Sequence, residues 1–240
     1  MPPEFAGFPA EGLDFFRKLK RNNRREWFQP RKQVFDDQVR KPMVELVEAV
    51  NRELVRFAPE YVTEPERAIY RIYRDTRFSA DKTPYKTHIA ASFPRRGLKK
   101  HACAGLYFSV SNKELEVAGG VYMPTVDELR AIRLHLMENH EEFRRIVRSP
   151  KLRSLMGEMQ GECLTRVPKG FPAGHPAEDL VRGKQWLFFL SLDPELARTA
   201  AIVDELVARF KALKPFCEFL NRPLSPAKRD PILETGGPIS

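Results

Sequence analysis

The chain is poor in the groups that staple small proteins or hold metals: its 240 residues include three cysteines and five histidines. Cys103, Cys163 and Cys217 are odd in number and far apart, which argues against a disulfide framework and predicts buried free thiols. His101 and Cys103 form one close pair of ligand type, and no second pair accompanies it. His135 and His140 would be turned about 140° from each other on a helix, off any common face. No structural metal is expected, and no motif asks for a cofactor. No run of eighteen apolar residues exists, so no membrane partner is expected. The amino terminus lacks a basic segment followed by an apolar one, so it does not read as a secretory signal, and a cytoplasmic location is expected. Catalytic signatures are also missing: there is no Gly-x-Ser-x-Gly, no Gly-x-x-x-x-Gly-Lys-Ser/Thr, no His-Glu-x-x-His and no kinase set.

Positive charge, by contrast, is in excess and unevenly placed. Of the net charge of +9, +8 falls between Arg67 and His101, where ten Lys and Arg face only Asp75 and Asp81. Concentrated charge of one sign focuses a field and attracts anions. Hydrophobic residues at 42% and charged residues at 30% are ordinary for a globular protein, and the length suffices for a proper core.

Apolar spacing predicts helices at Gly12 to Lys20 and after Pro42, and Trp27 and Phe28 between them read as packing residues. From Ala68 the pattern turns to alternation, with strand candidates at Ala68 to Arg74, Thr87 to Phe93, Leu106 to Val110 and Glu114 to Tyr122. Gln185 to Leu192 is an apolar run that reads as a fifth strand buried on both faces. Ser111-Asn112-Lys113 is short enough for a hairpin. Gly119 and Gly120 mark a bulge or a close backbone approach, or a bend whose amides cradle an anion. Thr125 and Glu128 have the spacing of a capping box, opening a middle helix. Pro194 should open the longest helix and Pro215 should interrupt it. The fold class is therefore α+β: one mainly antiparallel sheet of about five strands packed with N-terminal, middle and C-terminal helices. A single domain is expected over 8–221, followed by a mobile tail over 222–240.

The candidate chemistry lies in the stretch Arg71 to His88. Arg71, Arg74 and Arg77 recur every third residue, and Lys82 and Lys86 follow; these five are the expected ligand contacts. Guanidinium forks match phosphate and carboxylate and stay charged in any site. On a strand Tyr73, Asp75 and Arg77 would share the face of Arg71, while Arg74 would point the other way. Phe78 to Lys86 should form an exposed loop in which Phe78 anchors to the core and Tyr85 either anchors or stacks on a ligand. Asp75, Asp81, Tyr85 and His88 are the residues available for proton transfer or attack, should a reaction occur. Arg95, Arg96, Lys99, Lys100 and His101 form a second, plainer basic tip. Three functions fit: recognition of a phosphate-bearing anion such as a nucleotide, a phosphorylated metabolite or nucleic acid; an enzyme acting on a small anionic substrate; or an adaptor for an acidic protein surface.

The segment Arg71-x-x-Arg74-Asp75-x-Arg77-Phe78-Ser79-x-Asp81-Lys82-x-Pro84-Tyr85-Lys86 follows Asn22-Asn23-x-x-x-Trp27-Phe28 and precedes Gly119-Gly120-x-Tyr122-x-Pro124. Together these resemble a family of conserved hypothetical proteins catalogued as a domain of unknown function. The resemblance runs from about Phe8 to Leu220 and implies one domain over nearly the whole chain. It implies no activity, cofactor or catalytic residue.

Overall fold

Four strands form one antiparallel sheet in sequence order: β1 (Ile89–Pro94), β2 (Gly105–Val110), β3 (Leu115–Val121) and β4 (Trp186–Leu192). The computed structural model of the chain describes residues 5–100 and 102–225. Cross-strand partners such as Phe93 with Leu106, Phe108 with Val117 and Gly119 with Phe188 place one apolar side chain after another on a single face. Leu106, Phe108, Val110, Leu115 and Val117 on that face are fully buried. The period-two alternation read from the sequence is thus what divides the sheet into an inner and an outer side.

Helices surround the inner side. The chain enters through α1 (Ala10–Arg21), passes several short helical turns, and continues in α2 (Lys41–Phe57). After β3 come α3 (Val126–Glu138), α4 (His140–Val147) and α5 (Pro150–Met156). The α3 amino terminus has the expected capping box, with the Thr125 amide donating to the Glu128 carboxylate at 2.8 Å. The last helix, α6 (Ala201–Asn221), lies under the sheet and buries Leu206, Phe210, Leu213, Phe216, Phe219 and Leu220.

The glycine pair in β3 is explained by α6. A Cβ on Gly119 would stand 2.9 Å from a Leu213 methyl, and one on Gly120 would stand 2.1 Å from the Trp186 carbonyl oxygen and 3.0 Å from Phe216. Gly120 also has φ +127, a conformation that side chains other than hydrogen rarely permit. The strand register runs unbroken through both residues, so there is no bulge. Nor is the Gly120 backbone open to an anion, because Trp186 and Phe216 fill the space. Close approach is the reading that survives.

Several expectations require correction. Pro194 opens a separate 3-10 turn, Pro194–Arg198, and α6 begins only at Ala201. Pro215 does not end α6; it sits on the exposed side of the helix, so its missing N–H leaves the Lys211 carbonyl facing solvent, while buried Phe216, Phe219 and Leu220 hold the next turns in place. Cys103 and Cys217 are buried thiols, but Cys163 is exposed. The strand at Gln185 to Leu192 is not buried on both faces: Trp186 and Phe188 are in the core, while Phe189 on the other face is exposed. The candidate strand Ala68 to Arg74 is not a ladder strand. Ile69 bridges Ala91 and the Tyr70 amide donates to the Ala90 carbonyl at 2.9 Å, after which the chain leaves β1 and Tyr73 bridges Tyr85 instead. Pro84 in the facing segment has no N–H to extend this second pairing. His101 and 226–240, most of the expected tail, lie outside the described residues, whereas Arg222 is tied to Glu142 by two hydrogen bonds of 2.7 Å.

Candidate functional site

The Arg71 to His88 stretch folds as a loop closed at its base. The Arg74 amide donates to the Pro84 carbonyl at 2.9 Å and the Lys86 amide to the Ile72 carbonyl at 2.8 Å. Asn23, just beyond the end of α1, completes the closure. Its side chain accepts from the Tyr85 amide at 3.1 Å and donates to the Tyr85 carbonyl at 2.8 Å, as a neighbouring strand would. The Tyr85 ring is 2% exposed and stacks on Phe28 with centroids 4.2 Å apart. Tyr85 is therefore the anchor. Phe78, the expected anchor, is 94% exposed at the far end of the loop, with only the Arg77 guanidinium over its ring at 5.7 Å. The role expected for Phe78 must be corrected, and of the two left open for Tyr85 it is anchoring that the packing supports.

Side-chain direction alternates along 71–77 even though no ladder forms: Arg71, Tyr73, Asp75 and Arg77 are exposed, Ile72 is buried and Arg74 is half-buried. Arg74 thus points inward. Next to it opens a groove of about 660 Å³, lined on the loop side by Arg74, Asp75, Asp81, Thr83 and Tyr85. Lys86, Thr87 and His88 line its continuation toward β1, and Lys20 and Asn23 contribute from the end of α1. Of the nine residues singled out in the sequence, the groove brings together Arg74, Lys86, Asp75, Asp81, Tyr85 and His88. Arg71, Arg77 and Lys82 do not line it.

Each carboxylate in the loop is engaged. Asp75 takes a forked pair of bonds from Arg77, at 3.0 Å to Nε and 2.7 Å to Nη2, and the Arg77 side chain holds its carboxyl at about 2. Asp81 accepts from the Thr83 amide at 2.9 Å and pairs with Arg74, which also donates to the Thr83 hydroxyl at 2.9 Å. The Thr83 amide is the main cause of the lowered Asp81 carboxyl. Lys82 donates to the Thr76 carbonyl at 2.9 Å, which turns it into a brace of the loop.

The cations on the other wall are not neutralised. Lysine ion pairs among the described residues are those of Lys32, Lys184 and Lys214, so Lys86 has none. Burial lowers the Lys86 ammonium, and the guanidiniums of Arg71 and Arg74 lower it further. His88 is held below the usual imidazole range chiefly by burial, with Glu116 opposing that shift. Lys86 lies 5.1 Å from the centre of the Tyr70 ring, and Lys100 folds back to lie 4.5 Å from the same ring while donating to the Arg67 carbonyl at 2.7 Å. The basic tip is therefore not uniformly solvated: Lys100 returns toward the groove, Arg95 bonds Ser225, and Lys99 remains exposed.

Lys20 and Asn23 escaped sequence reasoning about the site. Asn23 had a signal, an Asn pair directly after a helical period, but its partner is 62 positions away. Lys20 is one of several basic residues on α1 and carries no distinguishing mark. Among the described residues no group of three or more His, Cys, Asp or Glu is placed to hold a metal, and no helix is long and apolar enough to cross a membrane.

Fold and groove together define an α+β protein whose half-buried cations are gathered at one edge of an antiparallel sheet. The chain belongs to the conserved hypothetical protein family DUF2461, whose model matches residues 11–219. No curated protein and no solved structure shows a significant match to it.

Proposed function

We propose that the groove recognises a phosphate-bearing anion, with Arg74 and Lys86 as its charged contacts and Lys20, Thr83 and Thr87 completing the donor set. The observation that carries this is Lys86: a half-buried ammonium, crowded by Arg71 and Arg74, with no carboxylate partner. Withdrawing an unpaired charge from water is unfavourable, and a bound anion removes the penalty. Threonine hydroxyls and a guanidinium on facing walls suit tetrahedral oxygens. Nucleotides, phosphorylated metabolites and nucleic acid all present that group. Inorganic pyrophosphate is the probe for a calorimetric titration. Lys86→Met should abolish its binding while leaving the melting temperature unchanged or raised, because the substitution removes a poorly solvated charge. Unaltered pyrophosphate affinity in that variant would sink the reading.

A second reading, an enzyme acting on a small anionic substrate, is favoured by one observation: Asp75, Asp81, Tyr85 and His88 all line the same groove. Asp75 and Asp81 are committed to Arg77 and Arg74, and the Tyr85 ring is packed. His88, kept neutral by burial, is then the proton carrier to test. Release of phosphate from a phosphomonoester, lost in His88→Gln with pyrophosphate affinity retained, would establish it. The third reading, an adaptor for an acidic protein, calls for a flat patch, and a concave groove does not favour it.

A further inference from the structure

The cationic surface does not stop at the groove. Beside Lys20 stands Lys113, exposed in the β2–β3 turn, and its like charge lowers the Lys20 ammonium rather than neutralising it. On the opposite side Lys86 and Lys100 share the Tyr70 ring at 5.1 and 4.5 Å. None of these four lysines forms an ion pair, since those of the described residues belong to Lys32, Lys184 and Lys214. One phosphate in the groove leaves Lys113 and Lys100 unused. A ligand with phosphates at intervals uses them all.

The loop adds a second, independent feature. Among the described residues Phe78, 94% exposed, is the most exposed of the large hydrophobic side chains, and its one ring contact is the Arg77 guanidinium at 5.7 Å. Asp75 in turn fixes Arg77 by its forked bonds, so the ring and its cation are presented together. An aromatic face beside a guanidinium is a stacking platform for an unpaired base. A mononucleotide or metabolite would fill the groove without needing the row of lysines, and a duplex hides its base faces.

We propose that the chain binds single-stranded nucleic acid, with successive phosphates on Lys113, Lys20, the groove and Lys100, and a base stacked on Phe78. This rests on the anion reading of the groove. The test uses fluorescence anisotropy with labelled oligo(dT) and oligo(U) of about fifteen nucleotides, a duplex of equal length, and a parallel titration with pyrophosphate. Both strands should outbind the duplex, whichever sugar is preferred, with a slope of log affinity against log salt of about −3 for the four neutralised phosphates. Phe78→Ala should weaken strand binding about tenfold without changing that slope. Lys113→Gln should reduce the slope by about 0.7. Both side chains are exposed, so neither change threatens the fold, and pyrophosphate affinity should stay as it was. Pyrophosphate binding combined with strand binding no tighter than duplex binding, or with a silent Phe78→Ala, would overturn the proposal and leave the groove reading standing. Failure of pyrophosphate and strands alike would remove both.

Discussion

On the side of the sheet that meets α6 (Ala201–Asn221), side chains are fitted so closely that two strand positions have no room for a β-carbon. At the β1 edge, on the other side, the chain holds a half-buried lysine without an acid, a half-buried neutral histidine and a loop whose Phe78 ring is in water. The first arrangement is what stability alone requires. The second is not, because an apolar residue would avoid the cost of the half-buried lysine and histidine, and a polar one that of the exposed ring. The difference teaches where a ligand would act: at the edge where the protein leaves charge uncompensated, not in the core where nothing more can be admitted.

The strongest way to break this comparison is to disturb the tight side by the smallest possible addition. Gly120→Ala places a methyl group 2.1 Å from the Trp186 carbonyl oxygen at φ +127. The expected cost is more than about 4 kcal/mol, because neither the backbone oxygen nor the Phe216 ring can withdraw. Denaturant unfolding, or loss of soluble protein, would report it. A variant with ordinary stability would mean that β3 and α6 are more loosely packed than described.

The groove side contains one element of comparable rigidity, the Tyr85 anchor. Tyr85→Ala removes a ring stacked 4.2 Å from Phe28 and should cost about 3 kcal/mol. Asn23→Ala removes two hydrogen bonds to the Tyr85 backbone and should cost about 2 kcal/mol, at roughly 1 kcal/mol each. Both should also weaken pyrophosphate binding, since the Arg74 and Lys86 backbones are tied to the same base. If Asn23→Ala reduces stability but leaves the anion affinity intact, the loop base and the groove are uncoupled.

How much of this was readable from the chain depends on how far each residue's partner lies from it. Strand limits around Leu106 to Val110 and Gln185 to Leu192, the Thr125 capping box and the Ser111 to Lys113 turn follow from neighbours, and they agree with the structure. The inward turn of Arg74 against Arg71 and Arg77 also follows from local alternation. Phe78 and Tyr85 sit in one loop with similar surroundings in sequence, and what separates them is Phe28 and Asn23, which the sequence places far upstream. The Ala68 to Arg74 alternation was genuine, but it could not say that the chain exchanges β1 for Tyr85 as its partner halfway. Helix interruption at Pro215 failed for a similar reason: packing of Phe216 and Phe219 against distant elements outweighs one lost hydrogen bond.

A smaller effect tests the electrostatics of the groove floor. Burial depresses His88 in the folded chain, whereas the unfolded chain titrates near an ordinary imidazole value of about 6.5. Between the two values the unfolded state binds more protons, so stability rises with pH there and declines as pH falls from about 6.5 toward the folded value. Glu116, Glu114, Lys86 and Arg74 are the charged groups that act on it. His88→Gln should flatten the dependence of melting temperature on pH in that window. It should not abolish it, because His135 is also depressed by burial. A His88→Gln profile identical to the parent would show that His88 is better solvated than its surroundings imply.

The smallest effect expected is at the exposed rim. The Arg77 fork keeps the Asp75 carboxyl at about 2, so Asp75 stays ionised, and stability from this pair would be present above the ordinary carboxylate range and lost as pH falls through about 2. Both side chains are largely in water, where salt and solvent screen such a pair, so Arg77→Ala should leave the melting temperature unchanged. A carboxyl-detected NMR titration should nonetheless see Asp75 return to the ordinary range in that variant. If the melting temperature fell as well, the loop would be held by its rim pair rather than by the Tyr85 anchor, and Phe78 would be presented by electrostatics instead of by packing.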